Sequence, residues 1–280
     1  MNKRLIFILL ITLKLSTLSG QDFQTYIKEN AVKMEHLDSL EQPIYNKLTN
    51  FVLVMIGEMH GTNEPANFLI GLTELFANNG DTVQVGFEIS SESMASYLQL
   101  LTDSSVFQSD FFSGNYADGR ASMVWANAIA RLTKNAKIRI FFFDIGQTAW
   151  NSGANRDSLM YLTIKEKIVE HPNWRTITLS GSIHNMRSLF RGKPTTAYYL
   201  CNDRELNLSD KICTLNHDYQ SGTMMNNIGN ELELRQVSKQ PLFSPENLNY
   251  DNYFLLCPIS EMYNGIIFTK TVTASEPILY

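Results

Sequence analysis

A chain of 280 residues, 44% of them hydrophobic, is long enough to bury the core of one large domain. Its net charge of −5 argues against nucleic acid or an anionic membrane surface as the main partner. Its three cysteines, at 201, 213 and 257, lack the C-x-x-C spacing of a zinc or redox centre, and the balance as a whole fits a protein that meets a small-molecule or peptide substrate.

Lys3 and Arg4 precede an apolar stretch at 5–13, and Ser16, Thr17, Ser19 and Gly20 follow it. This is the layout of a secretory signal peptide cut before Gln21, so residues 1–20 are set apart from a single domain at 21–280. The stretch is short for a bilayer and is interrupted by Lys14, so no membrane span is expected after processing, and a retained anchor is the alternative. The expected location is secreted or periplasmic. Loss of Lys3, Arg4 and Lys14 would move the net charge from −5 to −8.

The segment 21–50 reads as helical and peripheral, with His36 exposed on it. From Val52 onward strand and helix signals alternate, which predicts an α/β fold: a largely parallel central sheet flanked by helices. Residues 52–56 are the first strand, apolar throughout. The helix after it is capped by Thr62 or Asn63, carries Pro65 in its first turn and ends at Asn79-Gly80. Residues 83–89 are the second strand, and Ser90 or Ser91 caps a helix that turns Met94, Tyr97, Leu98 and Leu101 inward. Residues 103–118 read as an insertion or lid ahead of a helix near 120–134. The third strand is 138–143, and His171-Pro172 stops a helix running from Asp157 to Glu170. The fourth strand is 175–180.

Beyond Thr195 the pattern thins. A strand is expected at 196–201, followed by a polar loop across which a Cys201–Cys213 bridge would suit an oxidising compartment, with Cys257 left as a buried thiol. A polar region at 216–249 holds His217 as a loop residue. Closing strands are expected at 253–257 and 265–272. Arg187 and Arg191 read as exposed helix residues, with an anionic group on a substrate as the other use for them.

Two strands end in the same pattern. Gly57-Glu58-Met59-His60 follows the first, and Gly181-Ser182-Ile183-His184 follows the fourth. With 15 Gly and 5 His in the chain, chance gives roughly 0.3 such spacings. A glycine there would let the chain turn sharply at the carboxyl end of a strand, where open α/β sheets bind ligands. Glu88 ends the second strand and Asp144 the third, so parallel strands would gather two imidazoles and three carboxylates on one edge.

Imidazole and carboxylate suit a divalent metal such as zinc, manganese, cobalt or iron, which would lower the pKa of a bound water and make a nucleophile. On this reading His60 and His184 are ligands, Glu58 and Glu88 share the ligand and base roles, and Asp144 orients a histidine. The bland alternatives are a cap for Asp144 and an incidental turn histidine for either motif alone. Glu88 is harder to dismiss, because an ionised group directly after an apolar strand is costly unless paired.

Gly57-Glu58-Met59-His60-Gly61-Thr62 with Glu64, then Glu88, then Gly181-Ser182-Ile183-His184, resembles the superfamily of erythromycin esterases and the Tiki, TraB and ChaN proteins. The likeness covers roughly residues 50–190, and Tyr263-Asn264-Gly265-Ile266-Ile267-Phe268 is similar to the family's closing strand. The first motif looks closest to the esterase branch and the second to the Tiki and ChaN branches. The resemblance implies an α/β fold with its site at the strand ends, and activities that include ester hydrolysis, metal-dependent proteolysis and haem binding. It supports Glu58, His60, Glu88 and His184 as site residues, and in the esterase branch it implies a histidine acting as base for a water. The expected function is a secreted or periplasmic hydrolase, metal-assisted, that cleaves an ester or amide. The alternatives are a haem-binding, iron-uptake module of ChaN type and a non-catalytic envelope protein.

Overall fold

A computed structural model describes residues 20–100, 103–113, 118–228, 231–240, 250–257 and 261–278. The expected signal peptide falls almost wholly outside the described residues, and so does Leu101. The elements run, in chain order, α1 (Gly20–Asn30), β1 (Val32–Lys33), α2 (Gln42–Leu48), β2 (Leu53–Glu58), α3 (Glu64–Asn78), β3 (Val83–Ser90), α4 (Ala95–Leu100) and α5 (Asp110–Ser113). They continue with α6 (Met123–Leu132), β4 (Ile138–Asp144), α7 (Gln147–Asn151), α8 (Arg156–Glu170), β5 (Arg175–Gly181), α9 (Thr196–Asn202), β6 (Ile212–Ile228), β7 (Glu231–Ser238), β8 (Asn252–Leu256) and β9 (Gly265–Val272).

One sheet carries all nine strands in the order β1-β8-β9-β6-β2-β5-β3-β4, with β7 paired to β6 beyond that path. Pairing is parallel from β9 through β6, β2, β5 and β3 to β4, and antiparallel for β1 with β8, β8 with β9 and β6 with β7. The fold is therefore α/β with a largely parallel central sheet flanked by helices, as the alternating pattern predicts.

Among the described residues, alternation along the strands feeds three buried clusters, two of them lined by β2. Val54 and Ile56 of β2, Ile177 and Leu179 of β5, and Cys213 and Leu215 of β6 face the core that holds α3 and α6. Leu53 and Met55 face the other, with Met160, Ile164 and Ile168 of α8 and with Ala197 and Leu200 of α9. Every residue of β2 is buried, which explains its unbroken apolar run.

The latter half of the chain departs from its sequence reading. Residues 196–201 form helix α9 rather than a strand: Thr195 caps it, its side chain accepting from Tyr198 N, and Ala197 and Leu200 bury one face. Capping and packing outweigh the strand preference of Tyr198-Tyr199. The region from Asn216 is no loop either, because β6 continues to Ile228. Beyond Ser221 it pairs with β7 in an antiparallel arm whose residues are mostly half-buried or exposed, so no apolar pattern marks it. His217 consequently lies inside β6, buried, with Nε2 3.2 Å from Thr269 Oγ1.

None of the three cysteines forms a disulfide, which corrects the bridge expected between Cys201 and Cys213. Cys213 is fully buried in the core, while Cys201 sits half-buried on α9. The segment 21–50 is helical in two pieces but not peripheral, since Ile27, Ile44 and Leu48 are fully buried. His36 is exposed but lies between β1 and α2 rather than on a helix, and Arg187 and Arg191 follow a short 3₁₀ turn rather than riding on a helix.

Candidate functional site

Strand order decides which chain ends meet. β5 lies between β2 and β3, with Gly181 opposite Glu58 and Leu179 opposite Phe87. The β3–β4 register shifts between Phe87 and Ser90, so that Glu88 and Ile89 lie in an irregular step of the ladder. Glu88 Oε2 accepts a hydrogen bond from Gly181 N at 2.6 Å, so its carboxylate crosses to the end of β5.

The two motif histidines flank that point. His60 Nδ1 lies 2.6 Å from Glu58 Oε1, and Trp125 Nε1 donates to Glu58 Oε2 at 3.2 Å. His184 Nδ1 lies 2.8 Å from Asp157 Oδ1, which also accepts from Thr196 N and Thr196 Oγ1. The Nε2 atoms of His60 and His184 stand 3.9 and 3.7 Å from the same oxygen, Glu88 Oε1. The four residues singled out in the sequence, Glu58, His60, Glu88 and His184, thus come together at one edge.

Neither motif glycine turns the chain through the left-handed region. Gly57 is the fifth residue of β2, and Gly181 has a φ of −52°. Close approach explains Gly181 instead, because a Cβ there would sit 3.2 Å from His60 Nε2 and 3.6 Å from His184 Cδ2. The positive φ belongs to Gly61, at 90°, just past the first motif.

Two arginines complete the cluster. Arg120 Nη1 donates to Glu88 Oε1 at 3.1 Å, to the Glu88 carbonyl at 2.8 Å and to Asp144 Oδ2 at 3.0 Å. Arg156 donates to Glu88 Oε1 through Nη2, and to Asp144 through Nη2 at 2.7 Å and Nε at 2.8 Å. Asp118 holds Arg120 from behind, with Arg120 Nε 2.8 Å from Asp118 Oδ2. Asp144 therefore anchors guanidinium groups; Glu58 and Asp157 do the histidine orienting expected of it.

Electrostatics follow from these contacts. Burial raises the pKa of Glu88, but Arg120, His60, His184 and Arg156 more than reverse it and leave the carboxylate at about 2. Burial lowers the pKa of His60, and the hydrogen bond to Glu58 together with the Glu88 and Glu58 charges carries it above the ordinary imidazole value. Burial raises Asp157, and its bonds from His184 and Thr196 bring it below the usual carboxylate range.

These residues do not fit the divalent metal expected from their types. Both carboxylate oxygens of Glu58 and of Glu88 already accept hydrogen bonds, and Arg156 Nη1 lies 3.4 Å from His184 Nε2, where a guanidinium would repel a cation. Among the described residues no group of three His, Cys, Asp or Glu is arranged to hold a metal ion.

Sequence reasoning missed Arg120, Arg156, Asp157 and Trp125. One signal was available: Arg156 begins α8 directly after its cap, Asn155, where the helix dipole disfavours a positive charge. A residue in the wrong place for its helix is in the right place for something else.

No family model and no curated protein matches the sequence. Solved structures do match it. A protein from Bacillus cereus superimposes with a TM-score of 0.65 at 8% identity, over 94% of this chain and 100% of that one. A succinoglycan biosynthesis protein matches with a TM-score of 0.63 at 9% identity, over 92% of this chain and 99% of that one. A mutant of the erythromycin esterase EreC in its open conformation matches with a TM-score of 0.58 at 10% identity, over 86% of this chain and 98% of that one. At these identities the likeness is one of fold, and it is the fold that the paired motifs imply.

Proposed function

We propose that this chain is a hydrolase that activates water with His60 to cleave an ester or amide, and that it does so without a bound metal. One observation carries the reading: two histidines, each backed at Nδ1 by a carboxylate, turn their Nε2 atoms to one carboxylate oxygen across a glycine that leaves room between them. The fold shared with an erythromycin esterase supports the reaction class. Residues 1–20 support export to a secreted or periplasmic location.

The roles divide on contacts. Arg156 Nη1 lies 3.4 Å from His184 Nε2 and engages the lone pair that a base would need. His60 has Glu58 and Glu88 to stabilise its imidazolium, and Arg120 is the smallest of the influences on it. His60 Nε2 therefore takes the proton from water, whose oxygen attacks the carbonyl carbon. His184, its proton placed on Nδ1 by Asp157 and its Nε2 met by Arg156 Nη1, borders the same water and helps to fix its position. The oxyanion forms beside Arg156, whose side chain is a quarter exposed. When the tetrahedral intermediate collapses, the C–O or C–N bond breaks and the leaving group takes the proton back from His60.

The test is a panel of chromogenic esters and amides against the mature protein, His60→Ala and His184→Ala, with folding followed by circular dichroism. Hydrolysis by the parent and a loss of about 10²-fold or more in each folded variant is the expected result. Equal rates in parent and variants would overturn the reading. A Soret band on haem titration with no turnover of any panel member would replace it with the haem-binding alternative.

A further inference from the structure

A cavity of about 390 Å³ opens beside the cluster, within the size range of small-molecule sites. Arg120, Arg156 and Asp144, which belong to the network around Glu88, share its lining with Glu92, Gln147 and Trp150. The arginines give the cavity no net positive charge. Two guanidinium groups meet three carboxylates: Arg120 is bonded to Glu88, Asp118 and Asp144, and Arg156 to Glu88 and Asp144. Glu92, exposed to solvent in the cavity lining, adds a fourth carboxylate.

Glu92 and Trp150 are tied to the same point. The Glu92 carboxyl packs on Gly146, where a Cβ would lie 2.2 Å from its Cδ, and Trp150 N donates to the Gly146 carbonyl at 3.0 Å across the first turn of α7. Trp150 is 61% exposed, so a large aromatic surface stands uncovered in the lining of an acidic cavity. An exposed carboxylate and an open indole face are the two elements that attract an organic cation. A neutral polyol would also stack on Trp150, but it would gain nothing from the excess of negative charge.

We infer that this cavity takes an alkylammonium group, so that the preferred substrate is an ester or amide carrying a quaternary or protonated amine. The inference rests on the hydrolase reading for its placement beside the reacting carbonyl, and on the cavity alone for its ligand. Hydrolysis of such an ester consumes one water and releases the acid and an amino alcohol, with no other reactant.

The test uses two esters of one shape, acetylcholine and 3,3-dimethylbutyl acetate, in which carbon replaces the charged nitrogen. The expected kcat/KM is about tenfold higher for the cation. The ratio should fall toward one in Glu92→Gln and in Trp150→Ala. A ratio near one in the parent protein, with both esters hydrolysed, would overturn the inference and leave the hydrolase reading standing. If neither ester is hydrolysed, intrinsic fluorescence decides the cavity separately. A change on adding tetramethylammonium but not tert-butanol, lost in Trp150→Phe, would support the ammonium site while the hydrolase reading fails. No change, or a response to a disaccharide but not to tetramethylammonium, would overturn the inference.

Discussion

The Glu58 carboxylate fixes the ring of His60 and stabilises the charge His60 acquires. Both effects can be read from a pH profile. Because the folded pKa of His60 is raised, its base form appears only as pH climbs through that raised value, and kcat/KM should show an acidic limb above the ordinary imidazole range. Glu58→Gln removes the charge and weakens the hydrogen bond, so the limb should move to lower pH while the plateau falls by about 10²-fold or more. A plateau that falls with the limb unmoved would assign Glu58 to Trp125 rather than to His60. Glu58, His60, Glu88 and His184 were legible in the sequence because strand ends can be read from apolar runs. Arg120 and Asp157 were not, because each reaches the cluster from a segment whose local pattern gives only a loop or a helix start.

Among the elements, the arm built by β6 and β7 is mostly half-buried or exposed and still touches the first motif. Asn226 Nδ2 donates to the His60 carbonyl at 3.2 Å, and Met225 N donates to the Gly61 carbonyl at 2.9 Å. The same spot receives the loop of Arg120: a Cβ on Gly119 would lie 2.4 Å from the Met225 carbonyl oxygen and 2.7 Å from Gly61 Cα. Three backbones thus meet where no side chain fits. Gly119→Ala should cost about 2–4 kcal/mol, since it adds backbone overlap to the strain of a φ of 85°. Gly153→Ala, at a φ of 71° with nothing within 4 Å of its Cβ, should cost about 1–2 kcal/mol. Denaturant unfolding of both variants checks the order, and equal losses would mean that the three-way contact relaxes freely. This junction is invisible in the sequence, because the arm's residues alternate with solvent rather than with a core and so lack the period by which a strand is recognised.

At the scale of the whole molecule, strands β2, β3, β4 and β5 were foreshadowed by alternating strand and helix signals, but their order was not, and β6 was hidden in a polar stretch. Nothing local in 175–181 says that this strand inserts between two earlier ones. The residue types alone pointed to a metal, and only the assembled molecule reveals guanidinium groups where a cation would have to sit. Exhaustive treatment with a chelator should therefore leave hydrolysis of a responsive ester unchanged, and added zinc or manganese should not raise it. Activity lost on chelation and regained with one metal would refute a metal-free centre.

The placement of β5 has a consequence for synthesis. A ribosome delivers Leu53–Glu58 and Val83–Ser90 long before Arg175–Gly181 emerges, and until that latecomer wedges between them the earlier strands share no common border. A nascent chain halted after α8 already owns Glu58, His60 and Glu88 yet has nowhere to gather them. The proposed centre therefore closes only when the keystone strand arrives.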